Sequence, residues 1–547
     1  MVSNFIEQYS QNKKCFLWHN WLTNKKTNRK ESQKTSMSYR IREIDHTGKF
    51  ADTITLGLLQ NLIPMQAIEA ALSDAGALPG RYRKINKPIT IILILALCLY
   101  PDKSIAVFLI DFTHQLANLW TTAHFTLITD GGFAHRRYDL GERPLKILWQ
   151  RTVKLLATPK TKGAFLFGLR MLAIDSTCFD LQDSEENIAY FGYPHKVAYC
   201  PFPQARMVLL IECGTRVIFD AIISACCKSE RDGGNELLKK FHKGMLIFWD
   251  RGFHSYDYVK AVMETGADFL GRLPIHVNLQ IIEELCDGSY LAQLCPPEDG
   301  DHKGCKPITV RLLSYTLDAE GLPGHGDSHR LISSLLDPAS YPAKILIIEY
   351  HQRWEIETSI GQFKFSLEMG SVLRSKKPVG VLQELYAGLI IQYAVSYYRH
   401  ASASVYKLDV DRISFVQGVT LIRQAVTDGQ QYIEEQYPLL HNRLLEALTK
   451  NLVPKRKDRF NFRVSKSKYS PFDIKRAKHN NPPKREKSFA ESIVIIRGFF
   501  EGIITKKVPI KKTVPQEIPT KIVVLGEKSV KALVFENEFV RSVVLLC

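Results

Sequence analysis

Two short apolar runs, each followed by an aspartate, constrain the fold of this 547-residue chain more than any other feature. RMLAI (Arg170–Ile174) precedes Asp175, and MLIFW (Met245–Trp249) precedes Asp250. Short apolar runs bounded by polar residues are typical of strands buried on both faces of a sheet. We therefore expect two central strands, each with a carboxylate at its end.

The neighbouring segments predict the rest of an α/β core. ARMVLLIEC and TRVIFDAII are rich in β-branched residues and are separated by Gly214, which predicts a hairpin. NELLKKFH and DYVKAVMETG have helical character, and ADFLGRL predicts another strand. Strands mixed with helices at this spacing predict an α/β sheet whose central strands are covered on both faces.

Composition and the positions of glycine and proline divide the chain. The predicted segments are a basic, flexible N-terminal segment (1–52), a helical N-terminal module (53–165), an α/β core in two pieces (166–273 and 338–400) separated by a β-rich insertion (274–337), a helical C-terminal region (401–453), a basic arm (454–489) and a tail (490–547).

Positive charge is concentrated in two segments. The net charge is +17, of which residues 1–50 contribute +6 and residues 455–487 contribute +10. Basic arms around a nearly neutral body favour a polyanionic partner, bound with release of counterions. Solubility tails or disordered linkers would give the same charge pattern.

No segment predicts a membrane or secreted protein. The most apolar run, ITIILILALCLY (Ile89–Tyr100), stops at Pro101 and is too short to span a bilayer, so we expect a buried helix. The N-terminus lacks a hydrophobic signal core. We expect a cytoplasmic protein.

A second polar pattern lies in YHQRWEIETSIGQFK (350–364), where Tyr350, Arg353, Glu357 and Lys364 occupy offsets 0, 3, 7 and 14. In a regular α-helix these offsets fall within roughly 60° of one face. Apolar residues flank that face, with Ile356, Ile360, Phe363 and Leu367 on one side and Trp354 and Phe365 on the other. An ordinary surface helix with a spaced Arg–Glu pair would explain the pattern equally well.

The three acidic residues suggest a metal site. Carboxylates at the ends of adjacent buried strands repel each other unless cations bridge them. Mg²⁺ prefers oxygen ligands, and two ions can hold the attacking and leaving oxygens of a phosphodiester. Glu357 would supply a third carboxylate from a helix packed beside Asp175 and Asp250, whereas Glu355 would point elsewhere. The simpler interpretation of each aspartate is a strand-end cap.

These motifs resemble the IS4 family of bacterial insertion-sequence transposases. IDST with Asp175 resembles the family's first aspartate motif, and DRGF with Asp250 resembles its second. Tyr350, Arg353, Glu357 and Lys364 match the family's Y-x2-R-x3-E-x6-K signature at every spacing. The likeness extends over roughly residues 53–485, so that the tail lies outside it.

The resemblance implies an RNase H-like catalytic core, with a mixed sheet flanked by helices, and a DDE triad formed by Asp175, Asp250 and Glu357. These residues would bind two Mg²⁺ ions, for which Mn²⁺ would substitute, and would cleave element ends and transfer them into target DNA. The residues expected to bind DNA phosphates are Tyr350, Arg353, Lys364, Arg251 and Arg272. The expected partners are transposon-end and target DNA, paired by a homodimer near the bacterial nucleoid, and relatives pass through a hairpin intermediate.

Two alternatives share most of these features. A related metal nuclease would cut without strand transfer, although it would not need the tyrosine, arginine and lysine of the signature. A catalytically silent, transposase-derived DNA-binding protein or repressor would retain the fold without the reaction. Because all three acidic residues are present, we expect an active transposase.

Overall fold

The fold is that of a computed structural model. It describes residues 54–77, 85–119, 128–194, 200–298, 300–318, 325–367, 372–454 and 487–498, with shorter pieces at 464–465, 473–476, 521–524, 531–537 and 540–546. The expectations for the basic segment 1–52 and for most of the basic arm lie outside these residues.

The N-terminal module is helical. Its helices are α1 (Met65–Asp74), α2 (Lys87–Leu97), α3 (Ile105–Leu119), α4 (Asp130–Leu140) and α5 (Arg143–Thr152). The Asn86 side chain accepts a hydrogen bond from the Ile89 amide and so caps α2. Every residue from Ile89 to Leu97 is buried. The prediction of a buried helix in the most apolar run is confirmed.

The catalytic domain is built on a mixed sheet. After a two-residue strand β1 (Phe165–Leu166), the strands are β2 (Leu169–Asp180), β3 (Gln204–Glu212), β4 (Ile218–Ala225), β5 (Met245–Trp249) and β6 (Asp268–Arg272). Their spatial order is β4-β3-β2-β5-β6. The first three strands form an antiparallel meander, while β2, β5 and β6 run parallel. This order and direction are those of an RNase H-like fold, as the resemblance implied.

The predicted hairpin joins β3 and β4. Gly214, in the turn of this hairpin, has φ +79°, a backbone conformation that is unfavourable for residues with a β-carbon. A β-carbon there would also lie 2.6 Å from the Lys162 carbonyl oxygen. The turn therefore needs glycine for both its conformation and its packing.

The predicted insertion is β-rich and extends the same sheet. Its strands are β7 (Gln280–Glu284), β8 (Tyr290–Leu294), β9 (Ile308–Leu317) and β10 (His329–Ser333). β10 pairs antiparallel with β6, so the order continues as β6-β10-β9-β8-β7. The insertion is thus continuous with the core by backbone hydrogen bonds.

Helices cover both faces of the sheet. The later helices are α6 (Glu185–Phe191), α7 (Glu230–Leu237), α8 (Tyr256–Glu264), α9 (Ala343–Gln352), α10 (Trp354–Gly361), α11 (Pro378–Val405), α12 (Phe415–Asp428) and α13 (Tyr437–Leu448). One apolar core joins α7 and α8 to the face of Ile174 and Trp249. The other joins α9–α13 and the N-terminal module to the face of Ala173 and Phe248.

Helix α11 lies at the centre of the second core. By length and composition it is apolar enough to cross a membrane, but 94% of its most apolar 18-residue window is buried inside the protein. Burial within the folded chain accounts for the apolar character of this helix.

The chain after the basic arm begins within the body of the protein. Helix α14 (Phe489–Ser492) and strand β13 (Ile493–Ile495) follow the arm, and β13 pairs with β9. Within the arm, β11 (Val464–Ser465) and β12 (Asp473–Ile474) form a short parallel pair. Residues 497–547 form a second compact unit, in which β14 (Lys521–Val524), β15 (Lys531–Asn537) and β16 (Val540–Leu546) form an antiparallel sheet.

Candidate active site

Strand register brings the two predicted aspartates to the same level. β2 and β5 are parallel neighbours, paired from Arg170–Met245 to Ala173–Phe248. Continuing this register by two residues sets Asp175 opposite Asp250. Because residues two apart in a strand share a face, both carboxylates lie on the face covered by α9 and α10.

Asp175 lies in a largely buried setting within β2, which continues to Asp180, so the expectation that this aspartate ends its strand is wrong. Its Oδ1 accepts a hydrogen bond of 2.8 Å from the Ser176 amide. Burial raises the pKa of the Asp175 carboxyl to about 6, an effect that Arg353 and the Ser176 amide oppose. The charges of Asp250 and Glu357 raise this pKa further, so the three acidic residues interact electrostatically.

Asp250 follows the fully buried strand β5 and begins a turn. Its carbonyl accepts a hydrogen bond of 3.1 Å from the Phe253 amide, in the 3₁₀ turn Arg251–Phe253. Its Oδ1 is buried and has no hydrogen-bond partner among the residues that the structure describes. Burying such an oxygen is costly unless a further partner, such as a bound cation, interacts with it.

The stretch 350–364 is not one regular helix. Helix α9 ends at Gln352, α10 begins at Trp354, and Gln362–Ser366 form a π-helical turn. The prediction of a regular α-helix with 3.6 residues per turn throughout this stretch is therefore wrong. A π turn holds more residues per turn, and such turns occur often at functional sites.

Arg353 lies at the helix break and connects the acidic residues. Its Nη1 is 3.5 Å from Asp175 Oδ2, and its Nη2 is 3.9 Å from Glu357 Oε1. The Arg353 side chain is only 10% exposed, whereas that of Glu357 is 44% exposed. The guanidinium therefore supplies positive charge between two of the three carboxylates.

Tyr350, expected to bind phosphate, lies inside the protein in this structure. It is buried, and its hydroxyl donates a hydrogen bond of 3.1 Å to the Trp249 carbonyl. Burial raises the pKa of the Tyr350 hydroxyl. In this structure the tyrosine ties α9 to the residue before Asp250 and does not face the solvent.

Lys364 lies in the π turn against β2. Its Nζ donates a hydrogen bond of 2.5 Å to the Cys178 carbonyl and lies 5.4 Å from the centre of the Phe179 ring. Phe363 packs edge-on against Phe179, with 5.7 Å between ring centroids. These contacts attach the turn to the strand that carries Asp175.

The two other arginines lie at strand ends. Arg251 is exposed in the turn directly after Asp250. Arg272 is half-buried at the end of β6, and its charge acts on Tyr350. Neither has an assigned ligand, so their roles as phosphate contacts stay predictions.

Comparison with known proteins gives agreement along most of the described chain. Residues 167–392 match a family model described as a transposase DDE domain, and residues 53–150 match one described as the insertion element 4 transposase N-terminal domain. The transposase InsG for insertion sequence element IS4 of Escherichia coli K12 is 24% identical over 372 residues, which cover 64% of this chain and 80% of InsG.

The chain belongs to the IS4 family of transposases. It is a DDE transposase, an enzyme that cuts and joins DNA. The alternative of a catalytically silent relative is not favoured by these matches. A piggyBac transposase synaptic complex with hairpin DNA is a distant structural neighbour, with a TM-score of 0.38 and 10% identity over 73% of this chain and 86% of that one.

The acidic residues of this IS4-family transposase suit a divalent cation. DDE transposase domains in general use divalent metals. The three side chains are all carboxylates, the ligands that hard divalent cations prefer. The buried, unpartnered Oδ1 of Asp250 is an oxygen that such a cation would bind. Within the described chain, no three His, Cys, Asp or Glu side chains are grouped closely enough to hold an ion as they stand. The Glu357 carboxylate is exposed beside Arg353.

Glu230 and Ser176 lie beside Asp175, although no sequence pattern predicted them there. Ser176 Oγ donates a hydrogen bond of 2.6 Å to Glu230 Oε2. The sequence feature that could have located Glu230 is the S-E-R-D capping box (229–232), which fixes the start of α7. Only the packing of α7 on the sheet reveals that this helix start lies beside Asp175.

Proposed function

We propose that this transposase cleaves the ends of its insertion sequence and transfers them into target DNA, with Asp175, Asp250 and Glu357 as the catalytic carboxylates. The observation that carries the proposal is the parallel β2–β5 register, which sets the two aspartates level on the face covered by the helix that bears Glu357. The carboxylates would hold two Mg²⁺ ions, and Mn²⁺ would substitute because it accepts the same oxygen ligands.

Each carboxylate has a distinct task in this proposal. Asp175 and Asp250 would provide rigid ligands, because Asp175 lies within β2 and Asp250 directly follows the buried strand β5. Glu357 would close the site from α10, since its exposed side chain is able to turn towards the aspartates. When bound, the ions would polarise the scissile phosphodiester and activate the attacking hydroxyl.

Arg353 would exchange partners when DNA binds. It now neutralises Asp175 and Glu357, a task that the cations would take over. The guanidinium would then be available to hold a terminal phosphate by paired hydrogen bonds. Lys364, Arg251 and Arg272 would provide further phosphate contacts around the same carboxylates.

The substrates define the assembly and the location. Transposon-end DNA and target DNA are the proposed partners, and a homodimer would hold the two ends of one element together. The basic segments at 1–50 and 455–487 would bind DNA phosphates outside the active site. The protein would act in the bacterial cytoplasm, at the nucleoid, where its substrate lies.

The triad is tested by cleavage and strand transfer on the element's own ends, with and without Mg²⁺. Asp175→Asn, Asp250→Asn and Glu357→Gln should each reduce both steps by at least about 10³-fold, because each change removes a ligand charge from the transition state. Binding to the ends without metal should persist, since the phosphate contacts remain.

Glu355→Gln is the matched control, because it removes the same charge two residues from Glu357. It should cleave at close to the unmodified rate. Near-normal cleavage by any of the three triad variants would remove that residue from the proposed site. Cleavage by the unmodified protein in the presence of a chelator would refute metal dependence.

A further inference from the structure

Glu230 is held at a fixed position beside the strand of Asp175. It is the first residue of α7, whose start is stabilised by the reciprocal hydrogen bonds of Ser229 and Asp232, at 3.2 and 3.0 Å. The next turn packs directly on β3, because a β-carbon on Gly233 would lie 2.5 Å from Val208 Cγ2. The start of the helix is therefore packed closely against the sheet.

One oxygen of Glu230 engages the residue after Asp175. Oε2 accepts a hydrogen bond of 2.6 Å from Ser176 Oγ, while the Ser176 amide donates one of 2.8 Å to Asp175 Oδ1. Successive residues of a strand face opposite sides, so Ser176 contacts Glu230 on the face away from the acidic site. Glu230 thus fixes Asp175 from behind.

The other oxygen of Glu230 lies against the turn after Asp250. A β-carbon on Gly252 would lie 1.9 Å from Glu230 Oε1, so the carboxylate fills the space that a side chain would need. Gly252 is in the 3₁₀ turn Arg251–Phe253, which begins at Asp250. A single carboxylate therefore contacts Ser176, directly after Asp175, and Gly252, two residues after Asp250.

We infer that Glu230 is a positioning residue that holds the middle of β2 and the end of β5 at the spacing needed for Asp175 and Asp250 to share metal ions. This inference rests on the proposed function of those two aspartates. Glu230 acts through Ser176 and Gly252 and lies on the opposite face of the sheet from the reacting groups. The task requires a hydrogen-bond acceptor of this length and does not require its charge.

The test compares Glu230→Ala with Glu230→Gln in the full-length protein. Alanine removes both contacts and should lower the single-turnover cleavage rate about 10–100-fold, the usual effect of losing a residue that orients metal ligands. Glutamine keeps an acceptor for Ser176 and should remain within about threefold of the unmodified protein. Affinity for end DNA in EDTA should be unchanged in both.

A readout without catalysis follows the metal directly. Without DNA, Mg²⁺ should raise the melting temperature of the unmodified protein, and Glu230→Ala should need about tenfold more Mg²⁺ for half of that rise. Glu236→Ala is the matched control, because Glu236 is an exposed glutamate on the same helix. It should titrate like the unmodified protein.

A second variant reaches the same contact from the other side. Gly252→Ala must displace the Glu230 carboxylate, so its loss of activity should resemble that of Glu230→Ala. The double variant should cleave no more slowly than either single variant, because both changes disrupt the same contacts of the Glu230 carboxylate. Ser176→Ala provides a milder version if Glu230→Ala fails to fold.

The outcomes separate this inference from the proposed function. A normal rate and a normal Mg²⁺ titration in Glu230→Ala and Ser176→Ala, with Asp175→Asn inactive, would overturn the positioning role alone. Equal losses in Glu230→Ala and Glu230→Gln would also overturn it, since charge would then matter. Normal cleavage by Asp175→Asn would instead refute the proposed site itself.

Discussion

At the scale of single residues, Tyr350 best illustrates how packing changes an interpretation. Its spacing from Arg353 and Glu357 predicted a phosphate contact, yet its hydroxyl donates to the Trp249 carbonyl inside the protein. A tyrosine hydroxyl buried in a core needs a partner, and this carbonyl provides one next to Asp250. The geometry supports a structural tie between α9 and β5.

Tyr350→Phe separates the two interpretations. Loss of the hydrogen bond should lower the free energy of unfolding by about 1 kcal/mol and slow cleavage, because the end of β5 becomes less constrained. DNA affinity and its salt dependence should not change. If Tyr350 binds a phosphate instead, the variant should lose affinity for end DNA with an unchanged salt dependence, because a neutral hydroxyl contributes a hydrogen bond and releases no counterion.

Tyr398→Phe is the control for that measurement. Tyr398 is also buried, and its hydroxyl donates a hydrogen bond of 3.2 Å to the Leu58 carbonyl. The variant should lose similar stability while it cleaves at the unmodified rate. A matching loss of cleavage would attribute the effect in Tyr350→Phe to stability alone.

At the scale of elements, a buried polar network joins the N-terminal module to the central helix α11. Arg137 of α4 donates hydrogen bonds of 3.1 Å to Gln383 Oε1 and 3.0 Å to Ser375 Oγ. Its Nη2 is 3.5 Å from Glu384 Oε1, and both charged side chains are almost fully buried. Such a network fixes the position of one helix against another, because every partner is directional.

Arg137→Ala should therefore destabilise the protein strongly. Removing Arg137 leaves the buried Glu384 carboxylate with the Arg374 guanidinium, at 3.6 Å, and the Ser375 hydroxyl. The expected loss is on the order of 3 kcal/mol, measured as a fall in melting temperature. Arg136→Ala, which breaks a surface pair of 3.6 Å with Asp139, should change stability by less than about 0.5 kcal/mol. Equal effects of the two changes would contradict the structural importance of the network.

At the scale of the whole molecule, residues beyond the basic arm complete the sheet. β13 pairs with the end of β9, and the Asp318 amide donates a hydrogen bond of 2.7 Å to the Ser492 carbonyl. Phe489 stacks on His351 of α9, with 3.7 Å between ring centroids. The segment set apart as a tail in the sequence thus begins with residues that support the catalytic domain.

Truncation tests this boundary. A chain ending at Gly498 should melt at the same temperature as the catalytic domain of the full-length protein, because the compact unit that contains this domain ends at Ile496. A chain ending at Lys487 should melt lower and aggregate more readily, since it loses β13 and leaves part of the β9 edge unpaired. Equal melting temperatures for the two truncations would show that this segment does not stabilise the domain.

The sequence alone determined the buried strands, the hairpin and the β-rich insertion, and it predicted the three acidic residues of the proposed site. These properties follow from local patterns, because apolar runs, turn residues and motif spacings are read within short windows. The break at Arg353, the π turn at Lys364 and the burial of Tyr350 were decided by tertiary structure. Those features depend on which distant strand a helix packs against, and the positions of Glu230 against Ser176 and Gly252 arise in the same way.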